Sequence, residues 1–212
     1  MKLFRRSLFA VLSIGMIACT SAVEDAAEDS MEELSDSMDE LGQELGESAW
    51  KSDGDGEFYE IDVPGRMYVR SDLNTDASLQ YAYVEETATE VKEHYLVVLS
   101  EAKSDIEADL AEMDMEMDID VMQYRDICVE GLANGLDTYS VLTEEPVIET
   151  VNGMDCVKNE MRGSKGSVNV YYQLGVFEGE KGFYQVLSWC IEEQKEEFVS
   201  DMEQIIDSFK EI

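Results

Sequence analysis

Apolar positions along the chain fall into two kinds of repeat, and each predicts a different element. EFYEIDV (57–63) alternates apolar and acidic residues and runs into Pro64-Gly65, which reads as a strand followed by a turn. RMYVRS (66–71) reads as a short second strand. SLQYAYVEE (78–86) and EHYLVVLSEA (93–102) read as two more, the latter with a buried centre at 96–99. The repeat then changes. Ile106, Leu110 and Met113 are spaced by four and three, as on a helix. Val121, Tyr124, Cys128, Leu132 and Leu136 form a longer apolar face that stops near Gly135.

From residue 145 the period of two returns. EPVIETV (145–151) meets Asn152-Gly153, the strongest short hairpin signal, and MDCVKNEMR (154–162) carries the chain back. GSKGS (163–167) predicts another turn. VNVYYQLGVF (168–177) follows, with Val168, Val170, Tyr172, Leu174 and Val176 on one face. EGEKG (178–182) turns again into FYQVLSWCIE (183–192). A closing helix is expected from about Gln194, with Phe198, Met202, Ile205, Ile206 and Phe209 as its apolar stripe. The fold class expected is α+β, an antiparallel β-sheet meander with helices packed on it.

Before this domain lies a different kind of sequence. Lys2, Arg5 and Arg6 precede a ten-residue apolar run at 8–17, interrupted only by Ser13 and Gly15. At about 1.5 Å per residue, that run covers roughly half of a hydrocarbon core ~30 Å thick. It reads as a signal sequence rather than a membrane span. Met16-Ile17-Ala18-Cys19 then resembles a bacterial lipobox, with Met16 where leucine is usual. The resemblance implies cleavage before Cys19, a diacylglycerol thioether on its sulfur and an acylated amino terminus. Several acyl chains, at about 0.8 kcal/mol per buried methylene, hold a protein to a bilayer durably. The expected location is the bacterial cell envelope, anchored to a membrane by lipid.

Residues 20–50 contain eleven acidic side chains and no Lys or Arg. Met31, Leu34, Met38, Leu41 and Leu45 nevertheless keep a heptad spacing, weakened by Gly42 and Gly46. A disordered tether, a docking helix and a short coiled coil are all compatible with this stretch. SDGDGE (52–57) reads as a flexible hinge. It is no EF-hand loop, because Phe58 stands where that loop needs glycine. The expected organisation is a signal peptide over 1–18, an acidic tether over 19–56 and one globular domain over 57–212.

Within that domain, YEIDVPGRM, VNGMDCVKNEMRG and FYQVLSWCIEE…IIDSFK, with Ile205-x-x-Ser208-Phe209 at the end, resemble the PsbP/Mog1/DcrB-like group. DLNTDASLQYAY is similar to a segment of envelope lipoproteins. The group has no single activity to carry over; its members are accessory, assembly and binding proteins.

Charge and chemistry narrow the function further. Fifteen basic residues face 49 acidic ones, for a net charge of −34. Removing the leader takes away three basic residues and no acidic ones, leaving 12 against 49, or −37. Such a surface repels nucleic acid and anionic lipid, and attracts cations and basic partners. No nucleotide-binding, zinc-protease or nucleophile-elbow signature is present. His94 is the single histidine, placed at the start of an apolar strand and expected to be a partly buried or edge residue. Cys128, Cys156 and Cys190 form no CxxC pair. If neighbouring strands pair in sequence order, one strand separates Cys156 from Cys190 by about 9–10 Å, too far for a disulfide, and buried free thiols are expected, with a disulfide as the alternative.

EMDMEMDIDVM (112–122) alternates thioethers with Asp114, Glu116, Asp118 and Asp120, the weak candidates for a metal. Methionine as core filler with acids turned to water is the competing account. The aromatic residues on the late strands read as core, with one face free to line a groove. No cofactor and no catalytic residue is expected. The function expected is a non-catalytic binding or accessory module for an envelope protein or a small ligand. The alternatives are a divalent-cation-responsive protein or, less favoured, a hydrolase without a recognisable motif.

Overall fold

The structure, a computed structural model, describes residues 50–112 and 119–212. Eleven strands and three α-helices follow one another among these residues. They are β1 (Trp50–Gly54), β2 (Tyr59–Pro64), β3 (Tyr68–Val69), β4 (Leu79–Glu86), β5 (Val91–Ala102), α1 (Lys103–Glu112) and α2 (Val121–Asn134). Then come β6 (Thr138–Val141), β7 (Ile148–Val151), β8 (Met154–Lys165), β9 (Val168–Glu178), β10 (Gly182–Ile191), α3 (Lys195–Ser208) and β11 (Lys210–Glu211). All pairings are antiparallel, and the fold is α+β.

The large sheet runs β3-β4-β5-β10-β9-β8-β6, and β7 shares the outer side of β8 with β6. β1, β2 and β11 form a second, smaller sheet. Of the large sheet's two faces, one packs under α2, with Val157, Met161, Tyr172, Leu174 and Val176 against Tyr124, Cys128 and Leu132. The other packs under α3 and β2, where Leu96, Val98, Phe177, Tyr184 and Val186 meet Tyr59, Ile61, Ile205, Ile206 and Phe209. β9 and β10 are therefore buried on both faces, as a continuous apolar run permits. The aromatic side chains of these two strands are buried and line no open groove.

Phe209 is the centre of the lower layer. Its ring lies 4.6 Å from Phe177, 5.1 Å from Tyr59 and 5.2 Å from Tyr184 between centroids. Gly175 makes room for this layer, since a β-carbon there would stand 2.7 Å from Ile206 Cγ2. Beyond Phe209 the chain adds β11 to β2, and the Glu211 carboxylate accepts from Glu180 N (2.8 Å), Lys181 N (2.9 Å) and the Tyr184 hydroxyl (2.6 Å).

Two turns carry out what the sequence announced. Asn152 (φ 49°) and Gly153 (φ 89°) take the left-handed conformations of a tight hairpin. The Asn152 amide then donates 2.9 Å bonds to the carbonyls of Asp207 and Phe209, holding the end of α3. GSKGS is a turn only at its end: β8 continues to Lys165, and Gly166 (φ 60°) reverses the chain.

The stretch read as a hinge is ordered. Within the described residues β1 pairs with β2, Ser52 and Asp53 lying opposite Asp62 and Ile61. Asp55 Oδ1 accepts from the backbone N–H groups of Glu57 (3.0 Å) and Phe58 (2.7 Å), closing the hairpin. The leader and the rest of the tether lie outside the described residues.

α2 starts at a capping box. Gln123 N donates to Asp120 Oδ1 (2.8 Å), and Asp120 N donates to Gln123 Oε1 (3.1 Å). Replacing Asp120 with Ala is expected to cost about 1 kcal/mol. Urea unfolding at neutral pH measures it; an unchanged midpoint would remove the cap from the account of α2.

Candidate functional site

A cleft of about 430 Å³ opens on the α3 face of the large sheet, at its β8 side. Its floor is Lys158 and Glu160 on β8 and Gln173 on β9. These positions point the same way because side chains two apart on a strand share a face. Glu203, Ile206 and Asp207 of α3 form one wall. The opposite wall is the segment that joins β6 to β7, through Thr143, Glu145, Val147 and Glu149. That segment cannot stay in the ladder. Leu142 N still donates to Glu160 O (2.8 Å), but Glu160 N turns to the Thr143 hydroxyl (2.9 Å), and the chain bows outward until Ile148 pairs with Val157.

The cleft is acidic: five carboxylates, of Glu145, Glu149, Glu160, Glu203 and Asp207, face one lysine. Lys158 Nζ bridges the two walls, 2.5 Å from Asp207 Oδ1 and 3.3 Å from Glu149 Oε2. Burial pulls its pKa down, but the two carboxylates outweigh it and the net shift is upward. Glu160 Oε2 accepts from the Tyr171 hydroxyl (2.7 Å) and from Lys195 Nζ (3.2 Å). Burial raises that carboxyl, these two donors outweigh it, and the result lies below the usual carboxylate range. Glu160 is therefore charged at neutral pH and engaged in structure.

The residues singled out from sequence are scattered. Cys19 and the candidates Asp114, Glu116 and Asp118 lie outside the described residues. Asp120 is described, and its carboxylate caps α2. Among the described residues, no group of three or more His, Cys, Asp or Glu side chains is placed to hold a metal ion. His94 is neither partly buried nor at an edge. It is fully buried on β5, between β4 and β10, and its ring lies 5.0 Å from that of Phe198.

The Ser188 hydroxyl donates to the Tyr95 carbonyl (3.1 Å). The neutral ring is accordingly assigned as the donor from Nε2 to Ser188 Oγ (2.7 Å), and Nδ1 is a buried acceptor without a hydrogen-bond partner. Burial first, and the Arg66 charge second, pull the His94 pKa down to about 3. Such a ring stays neutral and does not border the cleft.

Cys128, Cys156 and Cys190 are buried free thiols. Burial pushes the last two up to about 12 and Cys128 well above its ordinary value, so none is a nucleophile at neutral pH. Cys156 and Cys190 do have β9 between them.

Sequence reasoning missed the cleft, although two signs of it are present. Lys158 and Glu160 recur two apart on a strand face whose neighbour Cys156 is core, and Gln173 interrupts an apolar run.

No protein-family model matches the chain, and no curated protein matches it. Among solved structures, LpqN, involved in cell envelope biogenesis of Mycobacterium tuberculosis, is 11% identical with a TM-score of 0.47, covering 72% of this chain and 82% of its own. A Pseudomonas aeruginosa protein of unknown function is 8% identical with a TM-score of 0.46, covering 77% and 96%. Cyanobacterial PsbP from Synechocystis is 15% identical with a TM-score of 0.39, covering 77% and 92%. Likenesses at this level transfer neither activity nor partner to this chain.

Proposed function

We propose that this chain is a lipid-anchored protein of the bacterial envelope whose PsbP/Mog1/DcrB-like domain is a non-catalytic binding or accessory module. The lipobox-like stretch ending at Cys19 supports the anchor, and among the described residues no helix is long and apolar enough to cross a membrane. Ile205-x-x-Ser208-Phe209, part of the sequence resemblance to that group, ends α3. The single observation that carries the binding role is the cleft. It is large enough for a small ligand or a partner's side chains. It gathers carboxylates, a lysine and amides, and the histidine and the described thiols lie buried elsewhere. Recognition of a ligand or a partner's side chains needs such converging polar groups.

The test is a photo-crosslinking amino acid placed at Glu149 of the full-length protein in its native host, with Val69, exposed on the far edge strand, as the control position. The binding reading expects one or two discrete adducts from position 149 and none from position 69. Equal labelling from both positions, or none from either, would overturn it. In the same cells, Cys19→Ser is expected to move the protein from the membrane fraction to the soluble fraction. Unchanged membrane fractionation would remove the anchor.

A further inference from the structure

The cleft is continuous with an open sheet edge. β6 and β7 lie end to end on the outer side of β8, and no strand covers them among the described residues. An edge strand presents backbone donors and acceptors outward, and proteins usually guard such edges with charge, proline or bulges. The connecting segment has guards of this kind in Glu144, Glu145 and Pro146. β6 has none: Thr138, Tyr139, Ser140 and Val141 carry no charge and no proline. The opposite edge ends in a strand of only two residues, β3.

Side chains along this edge sort by face. Tyr139, opposite Gly163, and Ile148, opposite Val157, point to the α2 side. They are 57% and 51% exposed, and they extend the apolar surface of the α2 core to the rim. On the α3 side, the same edge offers Ser140 and Glu149, and behind Glu149 stands the rest of the acidic cleft. The two basic residues beneath β6 are engaged: Arg162 Nε is 2.8 Å from Glu192, and Lys165 Nζ is 2.8 Å from the Gly135 carbonyl.

We propose that this edge takes up an extended segment of a basic partner protein as an added strand, with apolar side chains alternating with Lys or Arg. The inference rests on the binding-module reading and names the partner's chemistry. A strand added beside β6 and β7 turns alternate side chains to opposite faces. One set lies along Tyr139 and Ile148; the other faces Glu149 and the cleft mouth. Charge decides among the possible occupants. A second copy would bring another net −34 or −37 and set Glu144, Glu145 and Glu149 against like charge. The chain's own stretch 20–49 has no Lys or Arg and repels the cleft in the same way.

The test adds a capped eight-residue peptide of alternating valine and lysine to the full-length protein, followed by backbone hydrogen exchange. Two control peptides are used, one with the same composition in blocks and one with glutamate for lysine. Protection confined to 138–151 is expected, with the block peptide at least about tenfold weaker and the glutamate peptide silent. Tyr139→Ser, at an exposed position, is expected to weaken the alternating peptide about tenfold. Equal binding of the alternating and block peptides would mean attraction to charge alone and overturn the proposal. So would protection elsewhere, no binding at all, or an edge already protected in a self-associated protein. Failure here with discrete adducts from position 149 would remove the added strand and leave the binding module; failure of both would remove both.

Discussion

Replacing Phe209 with Ala is expected to lower the stability of the domain by about 3–5 kcal/mol, the usual cost of deleting a fully buried aromatic ring. Phe209 has no exposed surface, and three aromatic rings from β2, β9 and β10 surround it. Those rings stand on rigid strands and have no means of collapsing into the space left behind, which places the loss at the upper part of that range. The change also falls at the end of α3, where Phe209 N donates to the Ile206 carbonyl (3.3 Å) and β11 begins. A single-domain protein has only about 5–15 kcal/mol to lose, so the variant is expected near the edge of folding at 37 °C. Urea unfolding followed by tyrosine fluorescence measures it. Ile212→Ala, three residues on and half exposed, is the control and is expected to stay within about 0.5 kcal/mol of the parent. If the two variants unfold alike, the aromatic cluster is not what holds the small sheet and α3 to the large one.

Acid is expected to destabilise the domain from about pH 6.5 downward, and His94 is the reason. In the unfolded chain this ring takes a proton near pH 6.5; in the folded chain it resists until about 3. Between those values the unfolded state binds more protons, so stability falls as pH drops, by at most about 1.4 kcal/mol per pH unit. Protonation would add a second N–H donor at Nδ1, where the ring has no hydrogen-bond partner, and a charge beside Arg66. The other polar groups around the ring give little relief. Ser188 is already committed to Tyr95, and Asp201 is bound to Arg66.

Glu160 and Glu211, whose carboxyls are held low, contribute stability that disappears only at lower pH, below the usual carboxylate range. Asp201, whose carboxyl burial raises, acts in the opposite direction, so the histidine's share of the interval from about pH 6.5 to 5 is read against a variant that lacks the ring. His94→Leu is expected to flatten the stability profile across that interval while leaving the steeper loss below it. Parallel profiles for the two proteins would show that the ring is hydrated or paired in solution, and the assigned tautomer would fall with it.

The two predictions differ in how far they could be foreseen. Phe209 was readable as apolar, because it closes a stripe of Phe198, Met202, Ile205 and Ile206 at helical spacing. Its position outside the helix, as the ring that joins α3 to the small sheet, was not. The small sheet itself left little trace: β1 reads WKSDG, with no alternation to mark it. It is a strand because the outer edge of β2 accepts it, and edge pairing depends on backbone groups that every residue has. His94 stood out only as the single histidine. Its burial follows from β5 lying between β4 and β10 with α3 above, three elements whose order in space no local pattern announces.

Order along the chain, element type and the main turns were set by local chemistry. Alternation at period two, stripes at helical spacing and residues such as Asn152 and Gly153 act over a few positions, and the backbone obeys them wherever it sits. The acidic surface, with the repulsions it implies, was equally plain from counting charges. Both-sided burial of β9 and β10, the neutral buried ring and the cleft came from the assembled fold alone. The cleft's walls meet through Lys158, Glu149 and Asp207, and Asp207 is some fifty residues from the other two. Packing brings such distant segments together only when each has a face to bury, and which faces meet is decided by the whole core at once.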